Sequence, residues 1–286
     1  MISQILGVVM LIYLLAAILF LMAELWSSPR LENAGRIILW LGLGIHTGAV
    51  MGRWVESYQL AAVHSPSASF GDKLQLIIIQ VPLSNFYESL IFFAWCLPGL
   101  SLLAFRRYLK GYLGALVAIL SSLLLAYASF GVDSQIKPLM PALKSNWLLI
   151  HVVTAFLGYA AFALACGTAL LYLLQDRRPR PSLPPLPLLD SLIYRTTVLG
   201  FFLLTVGIAT GAVWAETAWG RYWSWDPKET WSLITWFIYA ALLHARHLKG
   251  WHGRRIAWLA VLGFMAVLFT YFGVSFLLSG LHSYLS

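Results

Sequence analysis

Eight long apolar runs, parted by short segments that carry nearly all the charge, constrain this chain more than any motif does. They cover about 3–25, 37–52, 88–105, 111–130, 147–175, 197–213, 232–247 and 256–280, and a helix needs about 20 such residues to cross a bilayer. The second and seventh runs are short and draw on their flanks. Only 10% of the 286 residues are charged, 60% are hydrophobic, and the mean hydropathy is +0.79. Soluble domains are about 25% charged. The sequence therefore predicts an all-α polytopic membrane protein of about eight transmembrane helices, a single integral membrane domain over 1–286 with no internal repeat. The first run lacks the basic start and small-residue cleavage site of a signal peptide, so it reads as a helix. The proline-rich stretch Arg177–Pro187 cannot continue the helix before it and reads as a loop.

The basic residues favour one set of alternate loops. That set holds Arg30, Arg36, Arg106, Arg107, Lys110, Arg177, Arg178, Arg180, Arg195, Arg246, Lys249, Arg254 and Arg255; the other holds Arg53, Lys73, Lys137, Lys144, Arg221 and Lys228. The richer set belongs on the cytoplasmic side, which puts both termini outside. The net charge of +8 is thus a topology signal, and the chain is not expected to bind nucleic acid. Cys96 and Cys166 stand alone in apolar runs and form no Cys-x-x-Cys, so they read as small buried hydrophobes.

Between two of the runs, on the outer side, residues 214–231 read WAETAWGRYWSWDPKETW. Trp214, Trp219, Trp223, Trp225 and Trp231 lie among Glu216, Arg221, Asp226, Lys228 and Glu229. One or two tryptophans there would be an interfacial aromatic belt. Five around Trp-Ser-Trp-Asp-Pro predict a platform for a large flat ligand, because indoles offer wide faces and lose little rotamer entropy. Asp226 before Pro227 is either a helix N-cap or a ligand contact. At Asn85-Phe-Tyr87-Glu88-Ser89, Asn85 or Ser84 is placed to cap the third span.

Two histidines fall at the same outer face. His151 opens the fifth span, and His282 follows the last one. Each alone reads as a hydrogen-bonded interfacial residue. Together, beside the tryptophans, they suit six-coordinate ligation of a haem iron, with Arg221 or Lys228 pairing with a propionate. His244 lies within the seventh span, where an ionisable group is a functional candidate by default, and His247 follows it toward the cytoplasmic surface. His46 sits among Gly42, Gly44 and Gly48, where close helix packing competes with a ligand pocket. His64 and His252 are in loops and take no role. Residues 70–83 include an amphipathic run suited to the membrane interface.

The segment from Trp219 to Trp231, its continuation through Trp236 to His244 and Arg246, the stretch from Pro82 to Trp95, and the closing Gly280-Leu-His282-Ser-Tyr284 resemble the CcsA (ResC) family of cytochrome c biogenesis, within the haem-handling superfamily defined by the WWD domain. The pieces occur in the family's order and cover most of residues 80–286. The resemblance implies a System II protein that moves haem b outward and presents it to an apocytochrome c, where the vinyl groups join the thiols of a Cys-x-x-Cys-His motif. That is haem lyase activity of the holocytochrome c synthase type. Residues 214–231 would be the extracytoplasmic WWD segment. His151 and His282 would ligate the presented haem, and Trp214, Trp219, Trp223, Trp225, Trp231, Asp226 and Arg221 would surround it.

The resemblance further implies that His244 ligates haem on its way across, with the second ligand from a CcsB (ResB)-type membrane partner or, on this chain, His46. Thiol-reducing proteins are further implied partners. The membrane would be a bacterial plasma membrane or a thylakoid. Two alternatives stand beside this reading: a CcmC-type protein that delivers haem to a chaperone, and a non-haem transporter or structural subunit with an aromatic belt.

Overall fold

The computed structural model describes residues 2–63, 69–136, 139–181, 183–278 and 280, and among them the chain is helical with no strands. The order is α1 (Ile2–Leu25), α2 (Pro29–Val63), α3 (Phe70–Ile79), α4 (Phe86–Ala104), α5 (Gly111–Gly131), α6 (Asn146–Arg177), α7 (Leu186–Trp219), α8 (Pro227–Lys249) and α9 (Arg254–Leu268). A π-helical turn at Phe269–Gly273 carries α9 into α10 (Val274–Leu277).

Seven of these helices are long and apolar enough to cross a membrane: α1, α2, α4, α5, α6, α7, and α9 with its continuation to Leu277. The expected eighth, α8, is missing from that set because its 23 residues include Lys228, Glu229, His244, Arg246, His247 and Lys249. Its placement nonetheless runs the height of the bundle. At one end Thr235 Oγ1 meets Thr270 Oγ1 at 3.1 Å beside the π turn, and at the other Arg246 grips Asp190 in the first turns of α7 at 2.6 and 3.1 Å. Asp190 also accepts the Gly253 N–H at 2.8 Å, which holds the α8–α9 turn against α7. The molecule is an all-α polytopic membrane protein.

The helices form two neighbouring groups. α1 packs between α2 and α5, while α6 lies along α7 and against α9. α4 bridges the groups by packing on both α5 and α6. In the first group Gly42 makes room for Tyr13, whose ring would lie 2.7 Å from a Cβ at that position. Tyr13 Oη in turn bonds His46 Nδ1 at 3.1 Å. α3 lies outside this packing with Phe70, Leu74, Ile77 and Ile78 exposed, tied to α2 by the Trp54 indole N–H on the Ile77 carbonyl at 2.7 Å. α6 ends at Arg177, as the proline-rich stretch requires, but Leu186 and Pro187 already belong to the first turn of α7, where a proline costs no helical hydrogen bond.

Candidate functional site

The tryptophan segment is a tight joint between α7 and α8. Gly220 ends α7 in the left-handed region, at φ 73°, and returns its N–H to the Glu216 carbonyl at 2.8 Å. After residues 221–225 the chain re-enters a helix through a capping box. Asp226 Oδ1 accepts the Lys228 N–H at 3.0 Å, and Glu229 Oε2 accepts the Asp226 N–H at 3.2 Å and the Ser224 N–H at 2.7 Å. Asp226 is therefore an N-cap, and its carboxylate also abuts Gly280, where a Cβ would collide with it. Trp225 stands between these ends at φ 61°, a region costly for a bulky side chain, and its ring is 69% exposed.

Beneath the joint lies a cavity that opens to the surface, with about 1280 Å³ of empty space when its open mouth is counted. α6 and α7 line it with Val152, Phe156, Tyr159, Leu204 and Ile208. α4 adds Phe86 and Ser89, α8 adds Lys228, Glu229 and Ser232, and the π turn adds Thr270 and Tyr271. The Tyr271 and Ser89 hydroxyls bond each other at 2.7 Å.

His151 faces this cavity from the second turn of α6. Its Nδ1 lies 2.7 Å from the Gly207 carbonyl oxygen. A carbonyl only accepts, so Nδ1 carries the proton and Nε2 is the basic nitrogen, the tautomer found in metal-bound histidines. Two small residues of α7 permit the approach: a Cβ at Gly211 would stand 2.6 Å from His151 Nδ1, and one at Gly207 would stand 3.3 Å from the Ala155 nitrogen. The ring is also nearly parallel to Trp214, with centroids 6.0 Å apart and an interplanar angle of 12°. The Gly207-xxx-Gly211 spacing is the sequence signal for such contact, as distinct from the glycines around His46.

The five tryptophans divide among different tasks. Trp214, buried, and Trp223 line the cavity. Trp214 also donates to the Ala142 carbonyl at 2.9 Å, pinning the loop before α6. Trp219 packs edge-on against Trp214 at 4.8 Å, and Trp225 packs edge-on against Trp223 at 5.7 Å. Trp231 packs on Phe269 of the π turn at 4.2 Å. Arg221 is exposed and does not line the cavity, whereas Lys228 does. Burial pushes the Lys228 ammonium below the usual lysine range, and the Asp226 carboxylate pulls the other way.

The other histidines lie elsewhere. His244 is exposed on α8, on the same outward stripe as Ile234, Phe237 and Leu248. His46 is fully buried against α1, and its Nε2 has no hydrogen-bond partner among the described residues. His247 bonds Tyr194 at 2.9 Å at the far end of α8. His282 lies outside the described residues.

Glu88 acquires a clear structural role. Its carboxylate, 1% exposed, bonds Arg53 Nε at 2.9 Å through Oε1, and it accepts the Ser84 N–H at 2.9 Å and the Ser84 hydroxyl at 2.8 Å through Oε2. Asn85 supplies the cap of α4, accepting the Glu88 N–H at 2.8 Å. Arg53 also donates to the Ser134 carbonyl at 3.0 Å and lies over the Tyr87 ring at 4.8 Å. Arg53 and Glu88 thus anchor the Ser84–Phe86 edge of the cavity to α2.

Comparison with known proteins places this arrangement in context. The profile of the family described as "Cytochrome C assembly protein" matches residues 83–282, which include the cavity, the capping box and the joint. The chain is 45% identical to the cytochrome c biogenesis protein CcsA of Chlamydomonas reinhardtii, the match covering 71% of this chain and 60% of that protein. It is 40% identical to CcsA of Synechococcus sp. (strain JA-3-3Ab), across 71% of this chain and 77% of the relative. CcsA of Guillardia theta is 43% identical. A solved structure, cytochrome c haem lyase CcmF, shares the fold with a TM-score of 0.68 at 20% identity, covering 95% of this chain and 46% of that one. With a profile match over most of its length and relatives of this similarity, the chain belongs to the cytochrome c assembly protein family, on its CcsA branch.

Proposed function

We propose that this protein holds haem b in the cavity beneath the tryptophan joint and presents it to an apocytochrome c, as a haem lyase working with a CcsB/ResB-type membrane partner. The observation that carries the reading is the setting of His151: a cavity-facing imidazole whose Nδ1–H is committed to Gly207, so that Nε2 is the nitrogen able to bind iron. The apolar, aromatic lining suits a flat macrocycle. The relatives named for cytochrome c biogenesis and the fold shared with a haem lyase support the same reading. His282 is proposed as the second axial ligand. The site lies on the extracytoplasmic face of a bacterial plasma membrane or a thylakoid, with both termini on that side, as the loop charges favour.

The chemistry asks the chain for position more than for proton transfer. Each thiol of a Cys-x-x-Cys-His motif adds across one vinyl group, so that an S–C bond forms and the thiol proton ends on the other vinyl carbon, without net oxidation. Holding ring and thiols together supplies the entropy of meeting in advance, worth up to roughly 7–11 kcal/mol at ideal alignment. Trp214 and Trp223 would hold the ring, and His151 and His282 would hold the iron, while the vinyl groups supply the carbons to which the thiols add. His244, on an outward apolar stripe, is proposed to ligate haem in transit together with a group from the partner.

The test is the dithionite-reduced absorption spectrum of the chain purified with and without its partner, repeated for His151→Ala, His282→Ala and His244→Ala. A bis-histidine spectrum that is lost in the outer variants and restored by added imidazole is expected. Absence of haem from every preparation, partner included, would reject the reading.

A further inference from the structure

Lys228 occupies an unusual position. It lines the cavity from the first turn of α8, half-buried, and no described carboxylate stands within ion-pair distance of its ammonium. The two acids beside it have other work. Asp226 Oδ1 accepts the Lys228 backbone N–H. The Glu229 oxygens accept the Ser224 N–H, the Ser224 hydroxyl and the Asp226 N–H. Across the cavity lining, α6 and α7 contribute apolar groups, Val152, Ala155, Phe156, Leu204 and Ile208. A cation in partial burial without a paired anion is costly, and a ligand acid that meets it regains that cost through a charge-assisted hydrogen bond.

We propose that Lys228 is the specificity-determining contact of the cavity: it selects a flat ligand that carries carboxylates along one edge and turns that edge toward the first turn of α8, with the apolar body against α6 and α7. The proposal rests on the haem reading and extends it by fixing which edge of the macrocycle faces α8. Arg221, the other basic residue of the joint, is exposed and away from the cavity, so it does not share this role.

The experiment compares haem b with its dimethyl ester, which keeps the ring, the iron and the vinyl groups but masks both carboxylates. Each is titrated in reduced form into the purified chain with its partner, and binding is read from the Soret band. The wild type is expected to bind the acid about tenfold more tightly than the ester or better, the factor of one charge-assisted hydrogen bond. Lys228→Met should bind both at the ester's level, and Lys228→Arg should keep the preference. Unchanged ester binding by Lys228→Met shows that the variant is folded. Equal binding of acid and ester by the wild type, or an undiminished preference in Lys228→Met, overturns the proposal and leaves the haem reading standing. Failure of the wild type to bind either compound removes the haem reading, and this proposal with it.

Discussion

His151 and Gly207 join α6 to α7 through one hydrogen bond, imidazole Nδ1–H to carbonyl oxygen at 2.7 Å, and that bond fixes the tautomer of the side chain best placed to hold iron. The contact exists because α7 presents glycine at 207 and 211, leaving its backbone bare where the ring arrives.

Gly211→Ala should therefore behave as a ligand-position mutant. The added methyl would stand 2.6 Å from Nδ1, so the ring must turn or the helices must part. We expect a weakened haem spectrum that added imidazole restores, as for His151→Ala, with Gly211→Ser no better. A wild-type spectrum in Gly211→Ala would show that the ring is held by something other than its seat on α7.

The Arg53–Glu88 pair joins α2 to the start of α4 with both side chains buried, at 4% and 1% exposure. Removing one partner strands a buried charge, which typically costs 3–5 kcal/mol. Arg53→Met and Glu88→Gln should each lower the thermal midpoint in detergent markedly, and the double variant should lose less than the sum. Strict additivity in that double-mutant cycle would mean that the two side chains do not act as a pair.

Asp226→Ala removes the cap of α8 and should cost about 0.5–2 kcal/mol, while Asp226→Asn, which keeps an accepting oxygen, should cost less. If Asp226 were instead a ligand for iron or substrate, both substitutions would abolish the haem signal at unchanged stability. The melting curve and the spectrum of the two variants separate these cases.

Lys228 gives a pH prediction of definite sign. Its folded value lies below the usual 10.5 because of burial, so the unfolded chain binds that proton more readily. Stability from this group is thus complete above 10.5 and is lost as pH falls through the lower folded value. Raising pH toward 10.5 should raise the wild-type thermal midpoint relative to that of Lys228→Met. Parallel curves for the two proteins would show that Lys228 is as well solvated in the fold as in the unfolded chain.

Run length and punctuation were readable directly. Apolar stretches placed α1, α2 and α4–α9, and Asp226-Pro227 marked where α8 begins, because helix ends need local chemistry to satisfy their open N–H and C=O groups. The residues Trp219–Trp231 and His151 could be singled out for the same reason: polar and aromatic groups at the end of a span stand out against it. The direction in which each side chain points was a different matter. A span that meets lipid on one side and protein on the other is apolar all round, so its periodicity barely separates the two faces. That is why the sequence treats five tryptophans alike, although packing sends Trp214 and Trp223 to the cavity, Trp231 to Phe269 and Trp225 to the outside. It is also why the sequence offers Arg221 and Lys228 as equal candidates, although the packing of α8 leaves Lys228 on the cavity and Arg221 exposed. Glu88 found Arg53, 35 residues away, and His46 found Tyr13, 33 residues away, through helix contacts that no local pattern encodes. Local chemistry starts and stops a helix, but its rotation about its own axis is set by the neighbours it packs against.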